Sequence, residues 1–146
     1  MCQETLKMRW EMSKKYPIGL EILIIDNEKI PAEILKKGLE KCGHQVCVAN
    51  DFYQACNLLK SDHKFHLVIT DVCMQSLPMT EIVGSIAGLV EAYQADAKIF
   101  LLSGTFKEQM QIHKDLFDLS AYIRKGTHED NLQEILSKIE TLFPTK

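Results

Sequence analysis

Three runs in this chain, LEILII (residues 20–25), HLVIT (66–70) and KIFLL (98–102), are nearly solid apolar material, and no other feature limits its fold so strongly. A strand with one wet face alternates apolar with polar residues. A strand without alternation must be covered on both faces, as parallel strands are when helices pack above and below their sheet. Two further strand-sized segments, QVCVA (45–49) and AYIR (121–124), bring the number to five. Each is followed by a segment of helical period. Residues 28–42 put Ile30, Ile34, Leu35, Leu39 and Cys42 on one face, with Pro31 in the first turn and Gly43 as the stop. Asn50 or Asp51 caps a second helix whose Ala55, Leu58 and Leu59 face inward. A third, over 79–93, carries Ile82, Ile86, Leu89, Val90 and Tyr93, and a weaker pattern covers 106–117. The last shows the cleanest stripe: Leu132, Ile135, Leu136, Ile139, Leu142 and Phe143. Five strand–helix repeats predict an α/β fold, a doubly wound five-stranded parallel sheet with right-handed crossovers. Residues 20–146 make one such domain, and residues 1–19 stand outside it as an N-terminal extension. There Leu6 and Trp10 lie one turn apart, and Pro17 with Gly19 breaks the segment.

Charge and cysteine usage narrow the partners. Seventeen bases against 20 acids leave a net charge of -3, so this chain is not expected to hold nucleic acid by bulk electrostatics. No apolar run reaches the roughly 18 residues a membrane span needs, and MCQETLKMRW is not a signal sequence, so the expected location is cytoplasmic, away from membranes. Five cysteines (Cys2, Cys42, Cys47, Cys56, Cys73) form no CxxC pair and read as reduced, mostly buried small hydrophobes. The five histidines lack ligand spacing and fall on loops and helix ends.

Four polar groups stand at the carboxyl ends of strands: Asp26, Asp71, Ser103 and Lys125. In an open doubly wound sheet those ends share one edge, where ligands bind. Taken singly each has a plainer reading: a helix cap for Asp26, a polar strand end for Asp71, a loop signal for Ser103, a solvated cation for Lys125. Together they suit the formation of an acyl phosphate on an aspartate beside a divalent cation. A carboxylate is a competent nucleophile toward phosphorus. Mg²⁺ needs only one or two carboxylates and keeps several waters. An ammonium opposite the metal neutralises charge on the transferring group, and a hydroxyl can bond one of its oxygens.

The segments ILIIDNE, LVITDVCM, LLSGT and YIRKG make the chain resemble the receiver domain of two-component response regulators over about residues 20–143. The resemblance implies the flavodoxin-like (βα)5 fold with strand order 2-1-3-4-5. It implies that Asp71 accepts the phosphoryl group, that Asp26 and the main-chain carbonyl of Cys73 help Asp71 hold Mg²⁺, and that Lys125 faces the phosphate. Ser103 and Tyr122 match the switch positions, and Met74 also fits. The implied role is a non-enzymatic phosphoprotein of a phosphorelay. It would be loaded by a sensor histidine kinase or phosphotransfer protein and read out by a downstream protein or effector domain. A homodimer through the fourth helix, fifth strand and fifth helix is a further option. The ending LFPTK leaves open a stand-alone receiver or the first part of a longer regulator.

Several residues depart from the family pattern. Asn27 replaces the usual second metal-binding acid, Gly126 replaces the proline after the lysine, which removes the reason for a cis peptide there, and MQ replaces Met-Pro after Asp71. Met79 stands where glycine is common. Losing one charge at a few ångström weakens cation binding by at most about 4 kcal/mol at an effective dielectric near 20, and relief of carboxylate repulsion offsets part of that. The amide oxygen of Asn27 remains a ligand, and Glu28 is a candidate substitute. These changes favour the alternative of a pseudo-receiver, a protein-interaction module without regulated phosphorylation. A haloacid-dehalogenase-type phosphatase is the poorer third reading, because its general acid would have to stand at Cys73.

Overall fold

The computed structural model describes residues 19–71, 79–103 and 120–143; for Met79, Thr80, Ile82 and Ser103 only the backbone is described. The described elements are β1 (Glu21–Ile25), α1 (Lys29–Lys41), β2 (Gln45–Ala49), α2 (Phe52–Lys60), β3 (Leu67–Asp71), α3 (Met79–Tyr93), β4 (Lys98–Ser103), β5 (Ala121–Arg124) and α4 (His128–Leu142). The strands form one parallel sheet in the order β2-β1-β3-β4-β5, as expected. Four of the five predicted helices are among the described residues. The fourth, over 106–117, lies outside them, as do Cys73, Met74, Gln75 and the Leu6/Trp10 pair.

Solid apolar strands behave as two-faced elements. On one side Ile22, Ile24, Leu67, Ile69, Phe100, Leu102 and Ile123 meet Ala32, Leu35 and Leu39 of α1 and Ile135, Leu136 and Ile139 of α4. On the other, Leu23, Ile25, Val68 and Ile99 meet Ala55 and Leu59 of α2 and Ile86 and Val90 of α3. Each leucine or isoleucine buried in this way contributes about 1.5–3 kcal/mol. Helix ends follow local chemistry. Asp51 caps α2 by accepting the Gln54 N–H at 2.7 Å, Thr127 caps α4 by accepting the Asp130 N–H at 3.1 Å, and Gly43 stops α1 with φ of +94°.

The inward face of α1 differs from the predicted one. Ile30 is 74% exposed and Ile34 42%, whereas the buried stripe is Ala32, Leu35, Leu39 and Cys42. The helix is turned so that its small residues take the crowded side: a Cβ on Gly38 would lie 2.7 Å from Leu132 Cδ2 of α4. Tyr93, at the end of α3, is likewise 47% exposed. Cys42 is buried, Cys47 and Cys56 half-buried, and all three are free thiols. His44 sits in the turn after α1 but is buried, its Nδ1 accepting the Leu20 N–H at 3.3 Å. Gln94, also buried, accepts the Phe65 N–H and donates to the carbonyls of Leu59 and His63, tying together the amino edge of the sheet.

Candidate functional site

Register brings the strand-end groups together. Ile25 pairs with Thr70, so Asp26 and Asp71 follow side by side on adjacent strands. Asp71 itself stays in β3, one residue beyond the predicted end, and pairs with Leu102. Ser103 pairs with Arg124, and Lys125 comes next in the chain. The two carboxylates are buried, Asp26 to 4% and Asp71 to 2% exposure. Lys125 Nζ donates to Asp71 Oδ2 in an ion pair whose acid is almost wholly shielded from water. A pair in such a place feels a stronger field than on the surface.

Asp26 is held differently. Its Oδ1 accepts the Glu28 N–H at 2.9 Å, the carboxylate bending back to its own turn. Burial pushes its pKa up to about 6; the Glu28 N–H and Lys125 oppose this, while the charge of Asp71 and a hydrogen bond with it add to it. The amide oxygen of Asn27 is buried without a hydrogen-bond partner. An orphaned oxygen acceptor on the residue after Asp26, with Asp71 following on the adjacent strand, fits a hard cation of the Mg²⁺ kind, which takes oxygen ligands and keeps water for the remaining positions. Among the described residues no group of three or more His, Cys, Asp or Glu side chains converges, so the acidic set in view is the pair Asp26 and Asp71.

A cavity of about 200 Å³ opens over this edge, lined in part by Asp26, Glu28, Lys125, Gly126, His128 and Asn131. A larger recess, of about 590 Å³, runs along Gly84, Gly88 and Glu91 toward Ala97 and Ser120 and contains none of the strand-end groups. Tyr122 is half-buried on β5 with its hydroxyl inside. Ser103 ends β4, and Cys73 lies outside the described residues. Gly126 donates its N–H to Asn131 Oδ1 at 2.8 Å, a bond a proline there could not make, and no described peptide bond is cis. Of the two candidate caps of α2, Asp51 takes that place, and the Asn50 Nδ2 instead donates to the Asp26 carbonyl at 3.0 Å. The sequence NDFYQ carried the cap signal, with Gln54 three residues after Asp51, but not the contact across to β1.

Residues 22–137 match the family of response regulator receiver domains. The chain belongs to that family. This receiver domain is 31% identical over 84 residues to the two-component response regulator ARR10 of Arabidopsis thaliana, an overlap covering 55% of this chain and 15% of that protein. It is 21% identical over 126 residues to the sensor histidine kinase AruS of Pseudomonas aeruginosa, covering 86% of this chain and 12% of the kinase. The chain therefore spans 15% or less of these two relatives. Among solved structures it is similar to a response regulator from Burkholderia pseudomallei, determined with a phosphorylated aspartic acid, calcium ion and citrate. The TM-score is 0.70 and the identity 24%, covering 84% of this chain and 67% of that one. The chemotaxis regulator CheY4 of Vibrio cholerae gives a TM-score of 0.66 at 15% identity, covering 82% and 98% respectively. Those likenesses establish the shared fold. No described helix is long and apolar enough to cross a membrane.

Proposed function

We propose that this receiver domain accepts a phosphoryl group on Asp71 from a phosphohistidine of a sensor kinase or phosphotransfer protein. The observation that carries the reading is the shielded Lys125–Asp71 ion pair with Asp26 beside it. An Asp71 carboxylate oxygen attacks phosphorus as the bond to the donor imidazole breaks, and the imidazole leaves with the electron pair and takes up a proton. Lys125 is already against Asp71, so its ammonium neutralises the equatorial oxygens without moving far. Asp26, Asp71, the Asn27 amide oxygen and the Cys73 carbonyl would hold Mg²⁺, which supplies further neutralisation of the transferring group. Ser103 and Tyr122 then repack the face of β5 and α4 and alter its affinity for a downstream partner. The setting is a cytoplasmic phosphorelay.

Acetyl phosphate with Mg²⁺ should add one phosphoryl mass to the chain, and Asp71→Ala should abolish the addition. An unmodified wild-type chain would sink the proposal. The single amide at Asn27 favours one competing reading, an interaction module that no longer takes up phosphate. Amide shifts near Asp26 that stay fixed through a Mg²⁺ titration would support that alternative.

A further inference from the structure

The turn after β1 must hold Asp26 and Asn27 in one orientation, and the β1–β2 ladder does not do so unaided. Its last regular rung there is the Asp26 N–H to the Ala49 carbonyl, 3.0 Å. At the start of the strands the Gln45 N–H donates to the Leu20 carbonyl, and a parallel ladder repeats every two residues. Continued regularly, that series would give the Asp26 carbonyl to the Asp51 N–H. Asp51 is instead the N-cap of α2, where the backbone has turned toward the helix. The Asn50 side chain takes over the rung, its Nδ2 reaching the Asp26 carbonyl at 3.0 Å. Asn50 is in turn held from behind, because its own N–H donates to Gln54 Oε1 at 2.9 Å, and the Gln54 N–H donates to Asp51 Oδ1. One chain of bonds thus runs from the cap of α2 to the residue that carries the buried carboxylate.

We infer that Asn50 is a positioning residue for the acidic turn: it fixes the Asp26 peptide, and through it the direction of the Asp26 carboxylate and the Asn27 amide. The part of this inference that concerns Mg²⁺ rests on the proposed function. The part that concerns the turn does not. An amide suits the role because it donates at the length of a backbone rung while adding no charge beside two crowded carboxylates. Outer groups that orient metal ligands commonly change affinity about tenfold or more when removed.

The test compares wild type, Asn50→Ala and Gln94→Ala in the full chain. Gln94→Ala removes buried hydrogen bonds at the opposite edge of the sheet and controls for general loss of stability. Two readouts are taken: hydrogen exchange of the Asp26 and Glu28 amides without metal, and Mg²⁺ affinity from amide shifts. Asn50→Ala should speed exchange at those two amides and weaken Mg²⁺ binding about tenfold, with Gln94→Ala leaving both near wild type. Unchanged exchange in Asn50→Ala, or equal effects in both variants, would overturn the inference. A wild type blind to Mg²⁺ would count against the proposed metal site and leave the exchange result to decide Asn50.

Discussion

Replacing Asp26 by asparagine should stabilise the metal-free protein at neutral pH. The carboxyl group has its pKa raised from the ordinary 3.8 to about 6, chiefly by burial. Between those two values the folded chain holds its proton while the unfolded chain has released it. The folded state then binds more protons, so stability falls as pH rises through this window and stays low above it. At about 1.4 kcal/mol for each tenfold change in proton affinity, the deficit above pH 6 is at most about 3 kcal/mol. An asparagine keeps an acceptor for the Glu28 N–H, now bonded at 2.9 Å, but carries no charge to desolvate. Urea unfolding in EDTA is the assay. The variant should exceed wild type by about 1–3 kcal/mol near pH 7.5, or roughly 2–4 °C in Tm per kcal/mol, and the gap should close toward pH 4. A variant no more stable than wild type near neutrality, or a gap independent of pH, would refute the reasoning from burial.

Other substitutions probe the same edge and its support. Asn27→Asp should tighten Mg²⁺ binding, read by titration of amide shifts, and should lower metal-free stability because a third carboxylate joins the buried pair. Gly126→Pro deletes the N–H that Asn131 Oδ1 accepts, and thermal melts should register a loss of about 1 kcal/mol. Gly38→Leu drives a branched side chain into Leu132, whose Cδ2 already lies 2.7 Å from where a Cβ would stand, and should cost about 1–3 kcal/mol in urea unfolding. Ile30→Ser, at a position 74% exposed, should leave the urea midpoint within about 0.5 kcal/mol of wild type.

Much of this receiver domain was legible in the chain, because the relevant signals are local. Runs such as LEILII exclude a one-faced sheet wherever they sit, and Asp51, Thr127 and Gly43 end or begin helices by bonds and dihedrals spanning a few residues. Asp26, Asp71, Ser103 and Lys125 were visible as polar groups at strand ends, so their shared edge followed from the winding of the sheet. The face of α1 was not legible. Ile30 and Ile34 satisfy the helical period as well as Ala32 does, and periodicity says nothing about how close a neighbouring helix must come. Gly38 against Leu132 settles that, through a contact nearly a hundred residues distant in sequence.

The amino-acid sequence by itself determined the alternation of strand and helix and the identities of the groups at the carboxyl edge, since both are properties of short segments. The tertiary structure alone decided how those groups meet. Register sets Asp26 beside Asp71 and brings Lys125 onto Asp71 Oδ2; burial raises the Asp26 pKa; the Asn50 amide crosses from β2 to the Asp26 carbonyl. Each of these depends on distances through space between residues remote along the chain, and a one-dimensional pattern does not carry such distances.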